Sequence, residues 1–360
     1  MYVPRSIRNA DFAGKSVLVR VDFNTPLEKG KVADDTRIRA SLETLELLYS
    51  QGIKKLVMCS HLGRPKGVDP SLSLRPVAER ATELLSFDVV LNDLKAPVTL
   101  LENLRFNSGE IENSPDFASR LVSGIDFFVN DAFGAAHRAH ASTEGVARIR
   151  PAYAGLLLRR ELEELGNLLR SPASPFVAIV GGAKVKDKVG VLRALAARAD
   201  VLLIGGKMSE ELRGSSLLEG SGVRIELPED IVAAESFNPD ARIEECDWNK
   251  LPDGWLGLDI GPATRERFTE VLKDAGTVFW NGPMGVFEWD RFAGGTQAVA
   301  QAVADCTGHT VIGGGDSVRA IEELGLTSQI NWVSTGGGAS LELLEGRKLP
   351  GVIAIPECSE

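Results

Sequence analysis

The sequence lacks long hydrophobic runs. Its longest apolar stretches, residues 176–182 and 201–206, have the length of buried strands, whereas a helix that spans a membrane needs about 20 apolar residues. The first residues also lack the apolar core of a secretory signal peptide and lead directly into a strand pattern. Both absences predict a soluble, cytoplasmic protein that has no membrane partner.

Cysteine, histidine and excess positive charge are also scarce. The four cysteines are far apart without a C-x-x-C pair, and the four histidines do not stand at metal-ligand spacing. This pattern is typical of free thiols in a reducing compartment. The formal net charge is −10, with 40 Lys and Arg against 50 Asp and Glu. Because a nucleic-acid-binding protein normally carries a basic face, this charge predicts no nucleic-acid partner.

Several common catalytic motifs are absent as well. The sequence contains no G-x-S-x-G nucleophile elbow, no H-E-x-x-H zinc motif and no H-R-D or D-F-G motif of protein kinases. It has no G-x-x-x-x-G-K-[ST] phosphate loop, and its strings GGGDSV and GGGASL lack the last glycine of G-x-G-x-x-G. These absences exclude the corresponding hydrolases, protein kinases and P-loop enzymes, and they disfavour a simple dinucleotide-binding fold.

The hydrophobic pattern alternates short apolar runs with amphipathic stretches. The predicted strands of the first half are residues 17–23, 55–60, 98–101 and 126–130. The predicted helices of the first half are residues 36–51, 74–85 and 115–123. The same alternation begins again at residue 176. Strands that alternate with helices favour a parallel sheet covered on both faces. The predicted fold class is therefore α/β, with two Rossmann-like, doubly wound parallel-sheet domains.

A predicted helix separates the two halves. Residues 156–170 carry leucines at helical spacing, and the Ser-Pro-Ala-Ser-Pro that follows ends the helix. We therefore predict an N-terminal domain over residues 1–155, a connecting helix over 156–170 and a C-terminal domain over 171–340. Two domains joined by a helix also predict a hinge and an interdomain cleft.

Polar and basic residues follow the predicted strands of the first half, where parallel sheets bind their ligands. Together with Arg37 at the start of the first predicted helix, they are Asp22, Asn24, His61, Gly63, Arg64, Arg105, Asp131, His137, Arg138 and His140. Guanidinium groups match phosphate oxygens in a bidentate manner. Residues 1–150 hold 20 Lys and Arg against 19 Asp and Glu. Since no general basic excess exists, the pattern predicts a focused site for a small polyanion.

Glycines follow the predicted strands of the second half. The strings are GGAK (181–184) with Lys186 and Lys188 behind it, GGK (205–207), NGPMGVFE (281–288), GGGDS (313–317) and GGGAS (336–340). A strand, glycines and a helix N-terminus bind phosphate through backbone N–H groups and the helix dipole, although each cluster alone also suits a tight turn. An anion site in one domain and a nucleotide site in the other favour phosphoryl transfer, which depends on positioning and charge neutralisation.

Ten strings in this sequence resemble those of the phosphoglycerate kinase family. They are VRVDFNTPL (19–27), DDTRI (34–38), SHLGRP (60–65), LLENLRF (100–106), NDAFGAAHRAHAS (130–142), GGAKVKDK (181–188), GWLGLDIGP (254–262), NGPMGVFE (281–288), GGGDS (313–317) and STGGGASLELLEG (334–346). They span nearly the whole chain in the family's order. The resemblance implies reversible, Mg²⁺-dependent phosphoryl transfer between 1,3-bisphosphoglycerate and ADP, giving 3-phosphoglycerate and ATP, by direct in-line transfer with domain closure in a monomeric enzyme of glycolysis.

The resemblance also implies roles for individual residues. Those implied to bind phosphoglycerate are Asp22, Phe23, Asn24, Arg37, His61, Leu62, Gly63, Arg64, Arg105 and Arg138. Those implied to bind the nucleotide are Gly181, Gly182, Lys184, Lys188, Asn281, Glu288, Gly314, Gly315, Asp316 and Ser317, with Asp316 also at the Mg²⁺ ion. Those implied to act on the transferring group are Arg37, Lys184, Lys188, Gly337 and Gly338. Residues 341–360 are implied to pack on the N-terminal domain.

Residues 204–214 depart from the family pattern. The string IGGKMSEELRG stands where a GGGMA-type segment with an aromatic residue near the nucleotide base is usual. This change bears on base affinity and on the preference for ATP over GTP, whereas the phosphate-binding residues are intact. Position 317 is Ser where Thr is common, which keeps the hydroxyl group.

Two alternative functions remain open on the sequence. One is a non-catalytic relative that serves as a binding protein, and the altered segment 204–214 is the only feature that favours it. The other is a kinase or synthetase for a different small carboxylate, which should have changed Asp22, Asn24, His61 or an arginine of the first half. None of these residues departs from the family pattern.

Overall fold

A computed structural model describes residues 2–358, which form two compact units. The first unit contains the residues up to Glu163 and those from Lys348 onward, and the second unit is Glu164–Arg347. The division between the units falls inside the helix over residues 156–170.

The first unit is an α/β unit with a parallel sheet. Its strands are β1 (Ser16–Arg20), β2 (Leu27–Glu28), β3 (Lys31–Val32), β4 (Lys55–Cys59), β5 (Val90–Leu91), β6 (Val98–Leu100), β7 (Phe127–Asn130) and β8 (Ala152–Ala154). Its helices are α1 (Thr36–Ala40), α2 (Leu42–Ser50), α3 (Arg75–Leu84), α4 (Pro115–Leu121) and the first part of α5 (Leu156–Arg170). The parallel sheet has the order β5-β6-β4-β1-β7-β8, and β2 pairs with β3 in an antiparallel ribbon.

The second unit combines a parallel sheet with a smaller antiparallel one. Its strands are β9 (Phe176–Val180), β10 (Val201–Ile204), β11 (Arg224–Glu226), β12 (Asp230–Ala234), β13 (Ile243–Asp247), β14 (Leu256–Ile260), β15 (Thr277–Asn281), β16 (His309–Ile312) and β17 (Trp332–Val333). Its helices are α6 (Val189–Ala196), α7 (Met208–Leu212), α8 (Pro262–Lys273), α9 (Gly294–Asp305), α10 (Gly315–Glu323) and α11 (Gly338–Leu344). The sheets have the orders β11-β10-β9-β15-β16-β17 and β13-β12-β14.

The two parallel sheets confirm the predicted α/β fold class. Every residue of β1 and of β9 is buried, as expected for strands that helices cover on both faces. The antiparallel sheet was not predicted, because its strand β13 is acidic and mostly exposed and so lacks an apolar run. The helix predicted over residues 36–51 is interrupted at Ser41, which separates α1 from α2.

Each unit has its own apolar core. Val19 and Met58 lie in the core of the first unit, and Ile179 and Trp280 lie in that of the second. The Trp280 indole N–H also donates to the Gly282 carbonyl (2.8 Å), which fixes the loop after β15. Because the strands are held by these cores, the side chains that follow their carboxyl ends have defined positions.

Helix α5 begins against the carboxyl end of β7. The backbone N–H groups of Leu157 and Leu158 donate to Asp131 Oδ1 (3.0 and 3.3 Å), which satisfies two donors of the first helical turn. Gly155 permits this contact, because a Cβ at that position would lie 2.1 Å from Asp131 Oδ1. The helix has 15 residues, and no helix within residues 2–358 is long and apolar enough to cross a membrane.

The end of the described chain returns to the first unit. It forms α12 (Pro350–Ile353), where the Gly351 N–H donates to the Ala136 carbonyl (2.8 Å) and the Gly351 carbonyl accepts from Asn130 Nδ2 (2.9 Å). The sequence analysis assigned residues 341–360 to this return, but residues 341–347 belong to the second unit. Residues 359 and 360 lie outside the described part of the chain.

Candidate active site

In the first unit, Asp22 and Arg37 form an ion pair beyond the end of β1. Arg37 Nη1 donates to Asp22 Oδ2 (2.5 Å). Burial of the Asp22 carboxyl opposes its ionisation, but the positive charges of Arg37 and Arg20 outweigh this effect and lower its pKa below the usual value. Helix α1 therefore delivers the Arg37 guanidinium to an ionised carboxylate at the sheet edge, and α2 anchors this region through the buried Leu45.

His61 follows β4 and is held by a buried arginine that the sequence analysis missed. Arg20 Nη2 lies 2.9 Å from His61 Nδ1, and Arg20 Nε donates to Ser142 Oγ (2.9 Å). Burial and the charge of Arg20 lower the pKa of His61 well below its usual value. The ring is therefore neutral near pH 7, with Nδ1 accepting from Arg20 and the proton on Nε2. Arg20 is a charged residue in the largely apolar strand β1, and this feature of the sequence could have identified it.

Arg105 lies among other arginines. Burial first, and then the charges of Arg138 and Arg20, lower the pKa of Arg105 to about 10, and Arg64 acts in the same direction. Arg105 Nη1 donates to the Gly63 carbonyl (2.5 Å), whereas its buried Nε forms no hydrogen bond within residues 2–358. We call Arg20, Arg64, Arg105 and Arg138 the arginine cluster. Such repulsion between guanidinium groups is relieved when an anion binds among them.

The loop after β4 is fixed by hydrogen bonds from its neighbours. The Gly63 N–H donates to Asn24 Oδ1 (2.8 Å), and the Leu62 N–H donates to Asn103 Oδ1 (3.2 Å). The Phe23 N–H donates to Ser60 Oγ (2.9 Å), and the Phe23 side chain is buried in the core of the first unit. The predicted residues that follow β1 and β4 therefore come together in one hydrogen-bonded site.

In the second unit, Lys188 lies over the ends of β9 and β15. Its Nζ donates to the carbonyls of Gly181 (2.8 Å) and Asn281 (3.1 Å). Burial lowers the pKa of Lys188 to about 8, although the charge of Asp316 opposes this effect. The ammonium group is thus held among backbone carbonyls close to the glycine loops.

The loops after β15 and β16 are joined by side chains that the sequence analysis selected. Asn281 Nδ2 donates to the Gly313 carbonyl (2.8 Å), and the Gly282 N–H donates to Ser317 Oγ (2.6 Å). Gly314 has a φ of +93°, and a Cβ there would lie 2.6 Å from Asn281 Nδ2, so a larger residue does not fit. Gly315 begins α10, and Asp316 in its first turn is exposed.

A cavity of about 380 Å³ opens beside these loops. Of the predicted nucleotide residues, Gly182, Glu288 and Asp316 line it. The cavity is also lined by residues to which the sequence analysis gave no individual role, namely Phe237, Leu256, Gly257, Leu258 and Val286, and by Lys207 and Glu210 of the altered segment 204–214. Leu256 lies in the family-like string GWLGLDIGP (254–262), whereas Phe237 lies outside all ten strings and in an antiparallel sheet region that was not predicted, so no feature of the sequence marked it as part of a site.

The remaining predicted residues have simpler surroundings. The Lys184 side chain is exposed at the start of the turn that precedes Lys188. Gly337 has a φ of +51° and precedes Gly338, the first residue of α11. These residues belong to the second unit, whereas the arginine cluster belongs to the first.

A model of the phosphoglycerate kinase family matches residues 7–216 and 213–347 of this sequence. The chain belongs to the phosphoglycerate kinase family. It is 49% identical over 389 residues to the phosphoglycerate kinase of Rubrobacter xylanophilus, with 99% of each chain covered. It is 47% identical over 393 residues to the cytosolic phosphoglycerate kinase 3 of Arabidopsis thaliana, with 98% of each chain covered.

Solved structures of the family agree with this assignment. The structure of phosphoglycerate kinase from Coxiella burnetii superposes with a TM-score of 0.86 at 36% identity and covers 98% of each chain. That of the enzyme from Pyrococcus horikoshii has a TM-score of 0.82 at 31% identity, also over 98% of each chain. The full-length matches confirm the predicted family and the predicted enzyme, a kinase of the transferase class, and they contradict the non-catalytic alternative.

Proposed function

We propose that the protein transfers a phosphoryl group between 1,3-bisphosphoglycerate and ADP, giving 3-phosphoglycerate and ATP. In the reverse direction, a carboxylate oxygen of 3-phosphoglycerate attacks the γ-phosphorus of ATP, the bond from that phosphorus to the β-phosphate oxygen breaks, and ADP leaves. A carboxylate is already ionised near pH 7, so no general base is needed. The observation that carries the proposal is the arginine cluster, in which guanidinium groups come close enough to lower the pKa of Arg105 to about 10, an arrangement that favours a bound anion.

Unpartnered buried atoms support a phosphoglycerate site in the first unit. Asp22 Oδ1 and Arg105 Nε are buried, and neither forms a hydrogen bond within residues 2–358. Buried polar atoms normally have hydrogen-bond partners. The acceptor Asp22 Oδ1 and the donor Arg105 Nε therefore favour a ligand that hydrogen-bonds to both. We propose that Asp22 accepts from the substrate hydroxyl and that Arg105 donates to its phosphate. The other proposed contacts are Phe23, Asn24, Arg37, His61, Leu62, Gly63, Arg64 and Arg138.

We propose that Arg37 stabilises the moving phosphoryl group. Its Nη1 donates to Asp22 Oδ2, and the side chain is 32% exposed, so the guanidinium remains partly accessible to a ligand. Preorganised donors of this kind lower the energy of charge that develops in the transition state. The proposed role needs no proton transfer from Arg37.

We propose that the cavity of the second unit holds the nucleotide. Phe237 is 64% exposed and its ring lies 4.7 Å from the Trp289 ring, so it offers a supported aromatic face to the base. The other proposed contacts are Gly181, Gly182, Asn281, Gly314, Gly315 and Ser317 at the phosphates and Glu288 at the ribose. Lys184, Lys188, Gly337 and Gly338 are proposed to contact the transferring group.

The donors present fit a magnesium ion that is held partly by the substrate. Within residues 2–358, no group of three or more His, Cys, Asp or Glu side chains could hold a metal ion alone. Mg²⁺ is commonly held by one or two carboxylates, substrate phosphates and water. Asp316 presents one carboxylate at the cavity, and we propose it as the protein ligand. When bound, Mg²⁺ would neutralise phosphate charge.

We propose further that the enzyme is a cytoplasmic monomer and that binding of both substrates closes a hinge between the units. Closure excludes water, which would otherwise compete as the phosphoryl acceptor. In small-angle X-ray scattering, we expect 3-phosphoglycerate and a nucleotide together to reduce the radius of gyration. An unchanged radius with both ligands bound would contradict closure.

A direct assay tests the proposed function. Purified protein is incubated with 3-phosphoglycerate, Mg²⁺ and either ATP or GTP, and formation of the acyl phosphate is followed. We expect rapid turnover that stops when EDTA removes Mg²⁺ and that is absent with glycerate, which lacks the phosphate. Turnover with glycerate would instead favour a kinase for another small carboxylate. Folded protein that binds 3-phosphoglycerate but transfers no phosphoryl group would overturn the proposal.

A further inference from the structure

The wall of the nucleotide cavity contains a carboxylate. Glu210 lies on α7, the helix that follows β10, and lines the cavity together with Lys207. A Cβ placed on Gly257 would lie 3.6 Å from Glu210 Oε1, which locates the carboxylate against β14. Leu256 and Leu258 of the same strand also line the cavity, so the acidic group stands next to apolar wall residues.

Within residues 2–358, the Glu210 carboxylate accepts no hydrogen bond and forms no ion pair within 4.0 Å, and the Lys207 charge acts on it only from a greater distance. Burial raises its pKa above the usual value, while the charge of Lys207 opposes this effect. Ligand pockets commonly use a few polar groups on an apolar wall to choose among ligands, and an unpaired acceptor on such a wall selects for a ligand with donors.

The cavity has a phosphate end and a base end. Gly182 and Asp316 lie at the loops proposed to bind phosphate. Leu256 lies on β14 of the antiparallel sheet, and Phe237 lies in the loop that follows β12. Glu210 lies beside that sheet, at Gly257, rather than at the phosphate loops. Glu210 therefore lines the cavity at the end where a base would be placed.

We propose that Glu210 selects guanine, so that the enzyme prefers GTP and GDP to ATP and ADP. The proposal rests on the proposed nucleotide site. The two carboxylate oxygens match the adjacent N1–H and N2 amino donors of guanine, whereas adenine has an unprotonated N1 that repels a carboxylate. Lys207 lines the same cavity, and its ammonium would be the donor to the guanine O6. Phe237 and Leu256 suit either purine, since stacking and apolar contact do not distinguish them.

The comparison of wild type with Glu210→Gln tests the proposal. A glutamine keeps one acceptor and adds one donor, a set that matches the N6 amino group and N1 of adenine. We expect wild type to show a higher kcat/KM with GTP than with ATP, and we expect Glu210→Gln to lower the GTP-to-ATP ratio by at least about tenfold, mainly through KM. Glu219→Gln, which removes the same charge from an exposed site outside the cavity, should leave the ratio unchanged.

The outcomes separate this proposal from the proposed function. A wild-type preference for ATP, or a ratio that Glu210→Gln leaves unchanged, overturns the role of Glu210 while the kinase activity stands. If Glu210→Gln does not fold, the wild-type ratio alone decides. If neither nucleotide supports turnover, the proposed function fails, and calorimetric binding of GDP against ADP to wild type decides whether the cavity selects guanine.

Discussion

Arg37→Ala should lower kcat by roughly 10³-fold or more while nucleotide binding stays nearly intact. The size follows from the loss of a guanidinium that stabilises the transferring phosphoryl charge, a contribution that reaches this magnitude in other phosphoryl-transfer enzymes. The charge of Arg20, which also acts on the Asp22 carboxylate, keeps its surroundings positive when Arg37 is removed. Steady-state kinetics with both substrates saturating would give kcat, and calorimetry would give the affinity for ADP.

The same helix provides a matched control. Arg39 also lies on α1, but its Nε donates to the Asp35 carboxylate (2.7 Å) in a surface ion pair. Such pairs contribute little, about 0–1 kcal/mol, so Arg39→Ala should keep kcat near the wild-type value. A loss of kcat in Arg39→Ala as large as that in Arg37→Ala would show a general effect of α1. A parallel loss of ADP affinity in Arg37→Ala would refute the assigned role.

The central strands of both units could be predicted from the sequence for a physical reason. Parallel strands covered on both faces are continuous apolar runs, such as those of β1, β9 and β15, and this signal is local. Their carboxyl ends meet at one edge of a sheet, and in the first unit the structure brings Asp22, Arg37 and His61 together there. Asp22 and His61 are 39 positions apart in the chain, yet their side chains lie within 4.0 Å.

Other parts of the site depend on contacts that no local pattern shows. Arg20 reads as a strand residue, and its partners His61 and Ser142 come from distant parts of the chain. Phe237 follows β12, whose antiparallel pairing with the exposed, acidic β13 leaves no apolar alternation to recognise. Glu210 becomes a candidate specificity residue only because the fold places its carboxylate beside Gly257 in the wall of a cavity.

Lys188→Met should lower kcat/KM for the nucleotide by roughly 10²–10³-fold. The Lys188 ammonium is held by the carbonyls of Gly181 and Asn281 and is proposed to meet the phosphate that moves, so its loss removes a preorganised charge in a partly desolvated site. Lys186→Met is the matched control, because Lys186 is exposed in the same turn and has no proposed contact. Equal losses in the two variants would contradict a specific role for Lys188.

The pH dependence of Lys188 gives a sharper test than the loss of rate. Because burial lowers its pKa to about 8 in the protein without nucleotide, the side chain is charged below that pH and becomes neutral as the pH rises through it. Since only the charged form attracts phosphate, wild-type kcat/KM for the nucleotide should fall above about pH 8. Bound phosphate favours the ammonium, so the corresponding fall in kcat should occur at higher pH. Lys188→Met has no proton to lose, and persistence of the same alkaline fall in this variant would assign it to another group.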